Sequence, residues 1–300
     1  MIEVSKVRKV FDDIEAVQNI SAAIQEGAVF GLVGTNGAGK STFLRMLAGV
    51  LKPDEGTIIL DGEEVFENEK AKEKLFFIPD EQYFFPNASA KDMMDYYAMV
   101  YREFDKDKFK EYMGKFNLSM ERKIHTFSKG MKRQVSVLLG ICANTKYLFC
   151  DETFDGLDPV MRQAVKSIFV AEMMNRDFTP VIASHNLREL EDICDHVGLL
   201  HQGGVLFSRD LEDIKTGVHK IQCVLPDTAD EEQLMKELEV LQCTRSGSLL
   251  TLTARGTKME ITQRIEQRNP IFWEVLPLTL EEIFISETEV AGYDIKNLVF

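Results

Sequence analysis

A lysine set in a run of glycines is the first feature of this chain that could do chemistry. The run reads Gly34, Thr35, Asn36, Gly37, Ala38, Gly39, Lys40, Ser41, Thr42. Its first eight positions satisfy G-x-x-x-x-G-K-[ST] in full. Glycines let backbone N–H groups turn inward around phosphate oxygens, and a helix start adds positive partial charge. In such a loop Lys40 supplies a point charge to the β- and γ-phosphates, and the Ser41 hydroxyl ligates Mg²⁺. The plain alternative is a glycine-rich turn with an incidental lysine. A second feature is the acid pair Asp151, Glu152. One carboxylate could hold Mg²⁺, directly or through water, and the next could orient and deprotonate an attacking water. Such a pair is also a common solvated turn, so its meaning depends on the phosphate loop.

These residues need elements to hold them. The apolar run 28–33 suits a buried strand, and 43–49 has helical periodicity ending on a glycine. That is the strand–loop–helix context the phosphate motif requires. A further strand is expected at 57–60, closed by the turn pair Asp61, Gly62. Short apolar runs at 147–150 and 181–184 each follow a helical segment. The alternation predicts a largely parallel sheet with its chemistry at the carboxyl ends of the strands. Residues 88–123 carry no strand signal and read as an inserted helical subdomain, about 88–125. After Gly217 the pattern becomes strand 220–225, helix 230–238, strand 240–245, strand 248–254, helix 258–268 and strand 271–275. That order is the β-α-β-β-α-β ferredoxin-like arrangement. The expected fold class is therefore α/β: a P-loop ATPase core over 1–217, then a small α+β ferredoxin-like domain over 218–300.

Composition narrows the function. The 300 residues include 35 basic and 49 acidic side chains, a net charge of -14. Broad nucleic-acid binding needs a basic field to displace counterions, so no nucleic-acid partner is expected. The five cysteines show no metal spacing, which points to reduced thiols and a cytoplasmic protein. The most apolar stretch, 135–143, is far short of the roughly 20 residues needed to span a bilayer. No signal peptide is expected, because the first residues lack an apolar core. Any membrane role then falls to a partner chain.

The motifs together resemble a known family. Residues 34–42 look like a Walker A loop and Asp151, Glu152 like a Walker B aspartate with its catalytic glutamate. Residues 127–134 (Phe, Ser, Lys, Gly, Met, Lys, Arg, Gln) look like a signature segment. Gly156, Leu157, Asp158, Pro159 look like a D-loop, and His185 like a switch histidine. In this order, over about residues 1–216, they resemble the ATP-binding subunits of ABC transporters. Lys129 departs from the commoner glycine of the signature but fits one branch of the family. Read without the resemblance, Ser128 is simply a helix N-cap, and His185 a structural histidine after a strand.

The resemblance implies that two such subunits, as a homodimer or a heterodimer, sandwich two ATP molecules. Ser128 and Gly130 of one copy would face the γ-phosphate held by the other, with Asp158 in the contacting loop. Glu152 would be the catalytic base and His185 the γ-phosphate sensor. Phe11 stands where an aromatic stacks on adenine, or is a core phenylalanine. The glutamine usual near Mg²⁺ falls on Asp80, while the nearby glutamine is Gln82. Tyr83, Phe84 and Phe85 beside it are either core or an exposed contact patch. Thr153 and Phe154 replace the usual Pro-Thr and are expected to pack. The resemblance further implies a separate integral membrane permease subunit, a cytoplasmic location on the inner face of the membrane, and export. A segment at 280–284 resembles, over a short stretch, one that closes the C-terminal extension of export ATPases. In that domain Trp273 is expected in the core, and Glu231, Glu232, Glu237 and Glu239 on a solvated helix face. The rival readings are a soluble ABC-type ATPase acting on nucleic acid or ribosomes and a regulatory subunit without turnover.

Overall fold

In the computed structural model, which describes residues 1–290, the chain divides into two compact units, Met1–Ser208 and Arg209–Phe300. The first unit opens with an antiparallel hairpin, β1 (Ile2–Phe11) and β2 (Ile14–Ile24). Strand β3 (Phe30–Gly34) leads through the glycine-rich loop into α1 (Lys40–Leu47). Next come β4 (Glu55–Leu60), β5 (Glu63–Glu64), α2 (Glu69–Lys72) and β6 (Leu75–Ile78). The helical insert contains α3 (Ala90–Val100) and α4 (Lys106–Lys115). The chain returns through α5 (Lys129–Cys142), β7 (Tyr147–Asp151), α6 (Pro159–Asn175), β8 (Thr179–Ser184), α7 (Leu187–Ile193), β9 (His196–His201) and β10 (Gly204–Asp210).

The larger sheet has the order β10-β9-β3-β8-β7-β6, and the five strands from β9 to β6 are parallel. Strands β3, β7 and β8 are buried along their whole length. Strands covered on both faces read as unbroken apolar runs, which is why these three were visible in the sequence. The smaller sheet is antiparallel, β2-β1-β4-β5. The strand expected at 57–60 lies here rather than in the parallel sheet, with Ile58 opposite Val4 and Leu60 opposite Ile2. Strand β1 alternates, burying Ile2 and Val4 while exposing Glu3 and Ser5. Helix α1 buries Phe43, Leu44, Met46 and Leu47. They share one core with Val17 and Ile20 of the small sheet and Phe149 and Val181 of the large one. Each such side chain contributes about 1.5–3 kcal/mol of burial, so α1 and the loop before it are fixed from two sides.

Helix α5 starts at the N-cap Ser128, whose Oγ accepts from Met131 N at 3.2 Å. It comes close to the sheet: a Cβ on Gly140 would lie 2.8 Å from Leu148 Cδ1 and 3.1 Å from a Phe76 ring carbon. The insert is tied to the core by a buried acid. Glu172 of α6 pairs with Lys108 of α4 and with Arg176 at 2.7 Å.

The second unit contains α8 (Leu211–Gly217), β11 (Val218–Val224), α9 (Thr228–Glu237), β12 (Glu239–Ser246), β13 (Leu249–Arg255), α10 (Lys258–Glu266), β14 (Phe272–Leu276) and α11 (Leu280–Val290). Its sheet order is β12-β13-β11-β14, antiparallel throughout, as a ferredoxin-like arrangement requires. The units divide somewhat before the expected boundary at 217. Helix α8 falls in the second unit, although the sequence reading left it in the first. Trp273 packs against the core of this unit. Glu231 differs from expectation: it is buried and lies 3.3 Å from Arg245, because its helix turns that face toward β12. Residues 291–300 of the expected second domain lie outside the described residues. Among the described residues no helix is long and apolar enough to cross a membrane.

Candidate nucleotide site

The loop between β3 and α1 is held open by its own backbone and by neighbours. Gly37 and Gly39 have φ of 81° and 95°, values that L side chains rarely adopt. At Gly39 an added Cβ would meet Ala16 O at 2.2 Å, so glycine is required there on two counts. Gly203 N donates to Ala38 O at 3.2 Å, and Gln18 N donates to Gly203 O at 2.7 Å. The turn after β9 thus pins the loop to β2. Lys40 is buried, and its Nζ donates to the carbonyls of Gly34 at 2.9 Å and Thr35 at 3.2 Å. These bonds curl the lysine back over the loop and hold its charge where a phosphate would sit.

The two acids close the other side. Ser41 Oγ donates to Asp151 Oδ1 at 2.9 Å. Asp151 is fully buried at the end of β7, and its Oδ2 has no hydrogen-bond partner. Burial is the main cause that pushes the Asp151 carboxyl above the usual carboxylate range; the Ser41 bond partly opposes it. Glu152 Oε1 lies 3.5 Å from Lys40 Nζ, and Oε2 lies 2.8 Å from His185 Nδ1. A histidine ring and a buried ammonium therefore meet at one carboxylate. The Glu152 backbone is left-handed, φ 47°, with its N–H donating to Ala183 O at 2.9 Å.

These groups surround one cavity of about 570 Å³. Asn36, Gly37, Ala38, Gly39, Lys40, Ser41, Thr42, Asp80, Glu152 and His185 all line it. So do Asp155, Gln202 and, from β2, Ile14, Glu15, Ala16 and Gln18. The sequence reading did not select that second set. Asp155 follows the acid pair closely, whereas Gln202 and the β2 residues lie in none of the motifs and are brought here by the fold. A divalent cation fits the site: hard cations take oxygen ligands, and Asp151 Oδ2 is a buried, unpaired carboxylate oxygen beside the Ser41 hydroxyl. Among the described residues no three His, Cys, Asp or Glu side chains form a metal cage. A cation here would need phosphate oxygens and water to complete its shell.

Asp80 lines the cavity while Gln82 does not. The Gln82 amide instead donates to the Asp80 carbonyl at 2.8 Å. Tyr83 and Phe85 are exposed, and Phe85 stacks edge-on against Tyr96 of α3. Thr153 and Phe154 are buried, with Phe154 packed edge-on against Phe169. Six expected nucleotide contacts lie outside the cavity lining. Gly34 and Thr35 are two of them, their carbonyls turned to Lys40 Nζ. Phe11 is exposed at the end of β1, with the Lys9 ammonium 5.5 Å from its ring centroid. Ser128 caps α5, as reported above. Gly130 approaches the Gly156 carbonyl: a Cβ there would lie 3.1 Å from that oxygen. Asp158 caps α6, accepting from Val160 N at 2.9 Å and Met161 N at 3.0 Å.

A family model described as "ABC transporter" matches residues 17–155. The ABC transporter ATP-binding protein YtrB of Bacillus subtilis is 30% identical over 287 residues, covering 96% of this chain and 98% of YtrB. The chain belongs to the ATP-binding proteins of ABC transporters. The bacitracin transport ATP-binding protein BcrA of Bacillus licheniformis is 29% identical over 218 residues, 72% of this chain and 71% of BcrA. A solved ATP-binding subunit of an ABC transporter shares the fold over much of the chain. It superposes with a TM-score of 0.66 at 23% identity, covering 72% of this chain and 92% of that one. As a member of this ABC family the chain binds ATP and is an ATPase.

Proposed function

We propose that this ABC ATPase pairs with a second copy or a near relative around ATP and drives a separate membrane subunit, in the direction of export. The observation that carries the catalytic part is the meeting of Lys40, Ser41, Glu152 and His185 on one cavity, with Asp151 behind Ser41. Lys40 and the loop N–H groups bind the β- and γ-phosphates. Glu152 accepts the proton of the attacking water, and His185 holds its carboxylate in place. Ser41 and Asp151 would hold Mg²⁺, which when bound supplies charge neutralisation to the phosphate oxygens.

Dimer formation is supported by what the cavity lacks. Ser128, Gly130 and Asp158 belong to family motifs, yet they line a different part of this subunit's surface. A second copy could bring them to the phosphates, with α5 presenting its N-terminus. Coupling to a membrane subunit is supported by the exposed aromatics Tyr83 and Phe85 in the loop after β6 and Tyr96 of α3 beside them. Export is supported by the name of the bacitracin transport relative. The second unit, lacking phosphate motifs, is an accessory or regulatory domain on this reading, and the protein sits on the cytoplasmic face of the membrane.

The test is to purify Glu152→Gln beside the parent. The variant should bind ATP, dimerise on it and barely hydrolyse it. Parent-like turnover would remove Glu152 as the base. An affinity-tagged parent should recover an integral membrane protein from detergent extracts. Recovery of ribosomes or DNA alone would favour the soluble rival.

A further inference from the structure

Helix α5 carries a residue that lies in the signature segment 127–134 but has been given no role of its own. Arg133 stands between Lys132 and Gln134 in a polar run, yet it is fully buried. A buried guanidinium is costly unless its N–H groups are engaged. Here Nη1 donates to the backbone carbonyl of Glu152, and Nη2 donates to Asp80 Oδ1 at 2.8 Å. The same Nη2 lies 3.5 Å from Asp155 Oδ2. Three segments that line the cavity therefore meet on one side chain that does not line it: the loop after β6, the end of β7 and the turn after it. Glu152 is the critical one. Its left-handed backbone is gripped on both sides, the N–H by Ala183 O and the carbonyl by Arg133. Non-glycine residues persist in that conformation only where their surroundings over-determine it.

We propose that Arg133 is a positioning residue that locks the Glu152 backbone and the Asp80 carboxylate into one fixed relation, so that Asp80 acts on hydrolysis through this guanidinium. The inference rests on the ATPase reading of the cavity. It differs from a direct cation-ligand role for Asp80 in resting on the bond between Oδ1 and Arg133. The planar fork is essential: its two terminal nitrogens reach two partners in different directions, and a lysine ammonium is a single point.

The experiment compares the parent, Arg133→Lys, Asp80→Asn and the double variant, with circular dichroism as the folding control. In the full-length protein without metal or nucleotide, Arg133→Lys should speed amide hydrogen exchange at residues 80–83 and 151–156 and leave the rest of the core unchanged. Its kcat for ATP should fall about 10–100-fold, the range seen when a supporting outer partner is lost. Its KM should change by less than about threefold, since no phosphate contact is removed. Asp80→Asn should lower kcat at saturating Mg²⁺ without moving the Mg²⁺ half-saturation point. The double variant should be no slower than Arg133→Lys alone. Unchanged exchange in Arg133→Lys, additive losses, or a loss in Asp80→Asn that excess Mg²⁺ restores would each overturn the proposal. If Arg133→Lys does not fold, Asp80→Asn carries the test by its exchange at 151–156 and its Mg²⁺ response. The exchange arm needs no turnover, so an inactive parent would sink the ATPase reading without deciding this one.

Discussion

The two units bury charge in different ways. In the first, Lys40, Arg133 and Asp151 are buried close to one cavity, and both Arg133 Nε and Asp151 Oδ2 lack partners. In the second, buried or nearly buried charges end on a neighbour at the surface. Glu231 meets Arg245 at 3.3 Å, and Arg268, whose Nε has no partner, meets Glu237 at 2.9 Å. The core of the second unit is apolar, built on Ile221, Leu234, Leu252 and Ile265. In the first unit the unpartnered Asp151 oxygen stands behind a hydroxyl that lines the cavity, whereas the buried charges named in the second unit end on partners at the surface.

The sharpest way to break this contrast is at the base. Glu152→Gln should lower kcat about 10²–10⁴-fold, the usual worth of a positioned general base. ATP affinity should stay near that of the parent, and steady-state phosphate release measures both. In the second unit the largest effect should be on stability alone. Leu252→Ala removes a fully buried side chain and should cost about 2–5 kcal/mol. Denaturant unfolding measures that loss, and kcat for ATP should stay within about twofold of the parent. A large fall in kcat would mean the second unit contributes to the chemistry.

Gly39→Ala tests the strained loop. It sets a Cβ against Ala16 O at a left-handed backbone and should cost roughly 1–3 kcal/mol. Nucleotide binding, followed by titration with a fluorescent ATP analogue, should weaken with it. Asp151→Asn should move stability the opposite way. The folded-state pKa of Asp151 is raised by burial, so its charged form penalises the fold. That penalty sets in as pH rises above the ordinary carboxylate value of about 4 and is complete above the raised value. Removing the charge should therefore stabilise the ligand-free protein at neutral pH, by roughly 0.5–2 kcal/mol, while hydrolysis falls. A melt of the variant no higher than the parent's would contradict this sign. The smallest effect concerns thiols. Cys142, Cys150, Cys194 and Cys223 are buried and Cys243 is exposed. Iodoacetamide should label Cys243 first, seen by intact mass, with ATPase activity unchanged.

Much of the first unit could be read before its structure was known. Phosphate loops and doubly covered strands leave contiguous signals, and 28–42, 147–152 and 181–185 are of that kind. The antiparallel sheet was harder to read. Strands β1 and β2 carry an interrupted alternation, with register shifts between Val4 and Val7 and between Val7 and Lys9. The parts of the site that went unread depend on direction rather than type. Arg133 looks solvated among Lys132 and Gln134 until the helix turns it inward. Ile14 and Ala16 line the cavity because a hairpin passes beside it. Glu231 has the same history in the second unit, where helix phase alone distinguishes it from the exposed Glu232.

The left-handed backbone at Glu152 has a consequence for how such a protein can change over time. A glycine at that position would relax the turn at no steric cost, but it would also take the carboxylate away from Lys40 and His185. Relief of the backbone and loss of the buried ammonium's counter-charge therefore oppose each other at one residue.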